Sequence, residues 1–184
     1  MIKKYFFDNN MGTVLWFTGL SGAGKTTLAK ELKVMLEAQG KRVYMLDGDE
    51  ARLERKHLGF TREDVKENNR LLAEAAKDMV DRFDFILVSV ISPYSEDRKM
   101  AKKIIGPSFI EMFLNCPLEE CIRRDTKGLY KKAINGKIDN LIGFSVSNPY
   151  EPPRNSDFEV KTSECNIEES ANKIIMFLKN RGNL

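Results

Sequence analysis

Gly19-Leu20-Ser21-Gly22-Ala23-Gly24-Lys25-Thr26, followed by Thr27, lies between two segments of opposite periodicity. Before it, Val14-Leu15-Trp16-Phe17 is a short apolar run of residues that suit a buried strand. After it, Leu28, Leu32, Met35 and Leu36 recur at helical spacing, and Gly40 marks the stop. The glycines let backbone N–H groups turn inward around a phosphate, and the N-terminus of the following helix adds a favourable dipole. Lys25 can reach the β- and γ-phosphates of a nucleoside triphosphate, and the Thr26 hydroxyl can ligate magnesium. A strand that runs into such a loop, with an amphipathic helix behind it, is the context this pattern requires.

The alternation continues along the chain. Val43-Tyr44-Met45-Leu46 reads as a second strand and ends in Asp47-Gly48-Asp49. Thr61 with Asp64 resembles a capping box that opens a helix carrying Leu71, Leu72, Ala75, Ala76 and Met79. Phe85-Ile86-Leu87-Val88-Ser89-Val90 is a continuous apolar run, as expected of a strand covered on both faces. Phe109 to Leu114 and Phe158-Glu159-Val160 read as further strands, with Pro117 in the first turn of a helix between them. Ile167, Ala171, Ile174, Ile175 and Leu178 mark a terminal amphipathic helix. The expected fold is α/β, a parallel sheet with helices on both faces, in a single domain over residues 1–184. Ligands of such sheets lie beyond the carboxyl ends of the strands. The glycine loop, Asp47-Gly48-Asp49 and Ser92-Pro93-Tyr94 each follow a strand end, so three polar segments converge on one edge.

Composition narrows the class. Lys plus Arg number 30 against 27 for Asp plus Glu, and a net charge of +3 implies neither a nucleic-acid nor a membrane partner. The three cysteines, Cys116, Cys121 and Cys165, form no CxxC pair and read as free thiols in a reducing compartment. The start, Met1-Ile2-Lys3-Lys4-Tyr5-Phe6-Phe7, begins like a signal peptide, but Asp8-Asn9-Asn10 ends the apolar run early. The expected location is the cytoplasm. His57, the one histidine, has no second ligand or nucleophile near it in sequence and reads as a surface or packing residue.

Two segments beyond the glycine loop carry chemistry. Of Asp47 and Asp49, one carboxylate can support a magnesium shell while the other accepts a proton from an attacking hydroxyl; a solvated Asp-Gly turn is the alternative. Arg123-Arg124-Asp125-Thr126-Lys127-Gly128-Leu129-Tyr130-Lys131-Lys132 reads either as a solvated helix end or as a lid that brings cations over the phosphates. A nucleotide-dependent switch is the rival class. A guanine-reading N/T-K-x-D element is missing, because Thr126-Lys127-Gly128-Leu129 lacks the final Asp.

Taken in order, these pieces resemble the adenylylsulfate (APS) kinases, P-loop kinases that phosphorylate the ribose 3′-hydroxyl of adenosine 5′-phosphosulfate. The resemblance runs from about Leu15 to Thr162 and rests on the glycine loop, Leu46-Asp47-Gly48-Asp49, Leu58-Gly59-Phe60 and Ile91-Ser92-Pro93-Tyr94. Arg124-Asp125, Lys127-Gly128-Leu129-Tyr130-Lys131-Lys132-Ala133 and Pro149-Tyr150-Glu151 extend it. It implies ATP with Mg2+ as donor, a small nucleotide as acceptor and a homodimer. The loop 19–27 and Arg124 then bind ATP, and Asp49 is the base. Asp47 joins Thr26 on the metal side, while Lys25 and Lys127 supply catalytic charge. Arg52, Phe60, Asn68, Arg70, Ile91 and Ser92 would line the acceptor site. Lys127, Gly128, Leu129 and Leu141 would reach the acceptor from a lid over roughly residues 124–148.

The departures from the family pattern fall in the acceptor half. Glu50 follows Asp49 where the family has Asn, and Val65 stands where the family has an acceptor-binding arginine. Arg70 is followed by Leu71 rather than a second arginine, and Leu141 replaces a phenylalanine that helps sandwich the base. An arginine fork is not replaced by Val. The expectation is therefore an intact ATP half with an altered acceptor grip. APS is the family default, and cytidine diphosphoramidate, which relatives of this family serve, is the competing acceptor.

Overall fold

The computed structural model describes residues 11–54 and 58–184, so the N-terminal segment with its signal-like start, and His57, lie outside the described residues. Strands β1 (Thr13–Thr18), β2 (Val43–Asp47), β3 (Phe85–Ser89), β4 (Phe109–Asn115) and β5 (Phe158–Lys161) form one sheet in the order β2-β3-β1-β4-β5. Every neighbouring pair is parallel. Each connection must therefore cross back over the sheet, and helices do so on both faces.

On one face lie α1 (Lys25–Glu37) and α7 (Ile167–Arg181); on the other lie α3 (Arg62–Lys77) and α4 (Ser95–Ile105). The central strand β1 is fully buried, with alternate residues feeding the two layers: Leu15 and Phe17 under α1, Val14 and Trp16 under α3. Short helices α2 (Gly48–Glu54), α5 (Leu118–Arg124) and α6 (Leu129–Ile134) sit at the carboxyl edge.

Local chemistry sets the boundaries. Thr61 and Asn166 each make both bonds of a capping box, with Asp64 and Glu169 respectively. Pro117 is the N-cap of α5 rather than a residue of its first turn. Several sequence expectations shift. The Asp-Gly-Asp segment is not a loop: Gly48 and Asp49 open α2. In α3 the buried stripe is Val65, Asn68, Asn69, Leu72, Ala73 and Ala76, while Leu71, Ala75 and Met79 are half-buried. Leu72 and Ala76 are buried as the apolar pattern expects, but two asparagines share the core-facing stripe, which the apolar pattern alone does not include. None of the three cysteines is paired. Among the described residues, no helix is long and apolar enough to cross a membrane.

Candidate active site

The loop 19–26 joins β1 to α1 and has the backbone the glycines allow. Gly24, the N-cap of α1, has φ 94° and Gly22 has φ 79°. A Cβ on Gly22 would meet the Cys121 carbonyl at 3.0 Å, so neither conformation nor space admits a side chain. The loop's carbonyls are turned outward and held. Lys25 Nζ donates to Gly19 O at 2.9 Å and Leu20 O at 2.8 Å. Tyr130 OH donates to Ser21 O at 2.9 Å, Arg124 Nη1 to Gly22 O at 3.3 Å and Thr162 Oγ1 to Ala23 O at 2.9 Å. Burial pulls the Lys25 ammonium down to about 8 from 10.5; Asp49 opposes that shift and Lys127 adds to it.

The two aspartates have separate partners. Asp47 Oδ2 accepts from Thr26 Oγ1 at 2.7 Å, and Oδ1 accepts from the Asp49 N–H at 2.9 Å. Asp49, exposed on the first turn of α2, forms an ion pair with Lys127. These groups border a cleft of about 590 Å³ beyond the carboxyl edge of the sheet. Its donor-side wall includes 21–27, Arg124, Thr162 and Asn166, and the other wall includes Arg52, Val65, Asn68 and Asn69.

The expected residues divide. Lys25, Thr26, Thr27, Asp47, Asp49, Arg124, Lys127, Arg52, Asn68, Ile91, Ser92 and Leu129 all line the cleft. Gly19 and Leu20 support it from behind through their carbonyls. Four of the expected acceptor residues stand outside the cleft lining in this structure. Arg70 is clamped on its own helix by Glu67 and Glu74 and does not line the cleft. Leu141 is 7% exposed in the core cluster under α1, and its neighbour Ile142 lines the cleft instead. Phe60 is exposed just outside the lining, with the Arg52 guanidinium 5.0 Å from its ring centre. Gly128 serves as the N-cap of α6 and also stands outside the lining.

Ser92 is present but fully buried. Its Oγ accepts from Trp16 Nε1 at 3.3 Å and its backbone is strained at φ 48°. The segment 124–148 is packed down in this structure. Tyr130 is 1% exposed, with Phe144 edge-on at 5.3 Å, and the Asn148 Nδ2 group donates to Phe60 O at 2.9 Å.

Sequence reasoning missed Ser89 and Asn69. Both line the cleft and both are buried, and Ser89 Oγ and Asn69 Oδ1 have no hydrogen-bond partner among the described residues. Ser89 was hidden inside an apolar run, and Asn69 inside the helical pattern.

A phosphate loop facing a divided pair of carboxylates, with a lysine reaching across from a late segment, is the arrangement of a P-loop kinase. Known proteins make it more specific. The sequence profile of the family described as Adenylylsulphate kinase matches residues 11–161. The chain is 49% identical over 175 residues to an adenylyl-sulfate kinase of Halothermothrix orenii, covering 95% of this chain and 93% of that one. It is also 49% identical over 176 residues to the bifunctional enzyme NodQ of Rhizobium meliloti, covering 94% of this chain but 27% of NodQ. Among solved structures, the Mycobacterium tuberculosis APS kinase CysC in complex with AMPPNP and APS superposes with a TM-score of 0.85. That match has 38% identity and covers 92% of this chain and 98% of that one. The chain belongs to the adenylylsulphate kinase family and is an ATP-dependent phosphotransferase with an alcohol group as acceptor.

Proposed function

We propose that the protein transfers the γ-phosphate of ATP to the ribose 3′-hydroxyl of a nucleoside 5′-anhydride, with APS, the substrate in the names of the two kinase relatives, as the first acceptor. The observation that carries this reading is the division between Asp47 and Asp49. Asp47 accepts from Thr26 and from the backbone of α2, which supports a place on the side of the donor phosphates. Asp49 projects at the cleft mouth toward Lys127, where an incoming hydroxyl would meet it. In this reading Asp49 takes the hydroxyl proton, Lys25 and Arg124 hold the phosphates, and Lys127 follows the developing charge.

Thr26 and Asp47 offer the hard oxygens that suit Mg2+ and would hold it with ATP, where it neutralises charge on the β- and γ-phosphates. Residues 124–148 act as a lid that excludes water, within one kinase domain over 1–184. A homodimer in the cytoplasm completes the reading. Arg52, Asn68, Ile91, Lys127 and Leu129 contact the acceptor, with Ser92 buried behind them.

One observation favours a second acceptor. Val65, 1% exposed, lines the wall where the family has an arginine, and Arg70 is held away by two glutamates. A wall with fewer cations grips a sulfate less tightly, which suits a different head group such as that of cytidine diphosphoramidate. Incubation with ATP and each acceptor, with mass-spectrometric mapping of the product, decides between them. Turnover of APS alone removes the second reading, and turnover of neither removes both. Unchanged product formation by Asp49→Ala would remove the assigned base.

A further inference from the structure

The carboxyl ends of β2 and β3 place a serine beside the metal-side carboxylate. Asp47 and Ser89 are partners in the parallel β2–β3 register, so their side chains leave the same face of the sheet. Along β3, Phe85 and Leu87 belong to the layer under α1, whereas Ile86 and Val88 belong to the opposite layer. Strand alternation therefore sends Ser89 to the α1 face. That is the face from which Thr26 Oγ1 reaches Asp47 Oδ2 at 2.7 Å. Ser89 is 3% exposed and lines the cleft, yet its Oγ has no hydrogen-bond partner among the described residues.

A buried hydroxyl without a partner destabilises the protein that carries it and is uncommon in native structures. At the floor of a ligand cleft, the missing partner can arrive with the ligand. Its surroundings narrow what arrives. The adjacent side chains are a carboxylate and a threonine hydroxyl, a donor set suited to a hard cation. Magnesium bound to nucleotide phosphates keeps several of its own waters, and each water needs acceptors for its O–H groups. The Ser89 Oγ, on the strand next to the one that enters the cradle, supplies one.

We propose that Ser89 is a positioning residue for the donor: its Oγ accepts a hydrogen bond from a metal-bound water of the ATP–magnesium complex, beside Asp47. It sets the metal's place without ligating it. This rests on the reading that magnesium accompanies ATP, and it is independent of which acceptor is phosphorylated.

The test is a pair of calorimetric titrations of wild type and Ser89→Ala, one with ATP and magnesium, the other with ATP and EDTA. Loss of one water-mediated bond is expected to raise the dissociation constant with magnesium by about three- to tenfold. Without metal the constant should change by less than about twofold, because no metal water is present to be lost. The magnesium concentration for half-maximal rate should rise in parallel.

An unchanged constant in magnesium overturns the proposal. So does an equal loss with and without metal, which would make Ser89 a packing or phosphate-contact residue. Ser89→Cys keeps nearly the same volume but accepts hydrogen bonds weakly, so it must reproduce the metal-dependent loss if Ser89→Ala does not fold. If wild type binds ATP equally well in magnesium and in EDTA, the magnesium reading itself fails. If wild type discriminates and both variants match it, only the role of Ser89 fails.

Discussion

Replacing Lys25 with methionine should change how stability responds to alkali. In the folded protein the Lys25 ammonium is 9% exposed, and burial lowers its pKa from 10.5 to about 8. At roughly 1.4 kcal/mol per decade in proton affinity, that fall corresponds to about 3 kcal/mol against the charged form. The sign follows from proton counting. Below about pH 8 both native and unfolded chains carry the proton, and the native state bears the whole penalty. Between about 8 and 10.5 the unfolded chain keeps the proton while the native chain has released it, so the unfolding free energy rises with pH. Lys25→Met lacks this contribution. Urea melts of both proteins without nucleotide, at steps from pH 7 to 10, should show wild type gaining about 2 kcal/mol on the variant across that range. ATP reverses the trend. Paired with phosphates, the ammonium keeps its proton, so ATP affinity of wild type should fall by up to about tenfold per pH unit above pH 8. Stability curves that stay parallel from pH 7 to 10 would refute the reasoning, because they would mean that Lys25 is not penalised in the free fold.

Two further outcomes follow from the same geometry. Tyr130→Phe leaves the ring packed but removes the donor to Ser21 O, so unfolding free energy should fall by about 1 kcal/mol and the KM for ATP should rise, with the acceptor KM unchanged. Asn69→Leu removes a buried oxygen, without a partner among the described residues, on the proposed acceptor wall, at the cost of the bond from Nδ2 to Val65 O. Its acceptor KM should rise about fivefold or more while the KM for ATP stays constant and stability falls by no more than about 1 kcal/mol, read by steady-state kinetics and urea melts.

What the sequence made legible was local. The β1–loop–α1 unit could be read because its glycines, lysine and threonine are consecutive and its apolar periods sit on either side. The start of α3 was equally plain, since a capping box is three residues long. Other elements hid behind residues whose partners lie far away. In α4, Asp97 and Arg98 are buried, the first against Arg62 and the second against Glu111, so its core-facing stripe carries charges that an apolar period does not mark. In α2, Gly48 and Asp49 carry a turn signature; Gly48 fits because a Cβ there would stand 2.9 Å from Val90 Cγ2. The proposed acceptor wall is drawn from α2, α3 and the end of β3, and no short motif spans them. Where Arg70 and Leu141 sit is decided by their partners in the fold: Glu67 and Glu74 hold the arginine on its own helix, and Leu141 packs into the core while Ile142 lines the cleft.

The donor half was legible for a deeper reason, which lies in its carbonyls. An anion cradle needs its N–H groups pointing inward, so each carbonyl of the loop must find a partner outward. From 19 to 24 every one does: Lys25 at Gly19 and Leu20, Tyr130 at Ser21, Arg124 at Gly22, Thr162 at Ala23, and the Leu28 N–H at Gly24. Those partners come from the loop's own helix, from α5, from the segment 124–148 and from the end of β5, which ties the cradle to most of the edge on which the acceptor must dock. When Lys25 turns from the carbonyls to ATP phosphates, Leu20 O still has the Ala23 N–H at 3.2 Å, and Gly19 O alone loses the partner it holds in the free protein. Filling the site therefore disturbs one loop carbonyl rather than the loop, and the cradle stays in shape while its lysine moves.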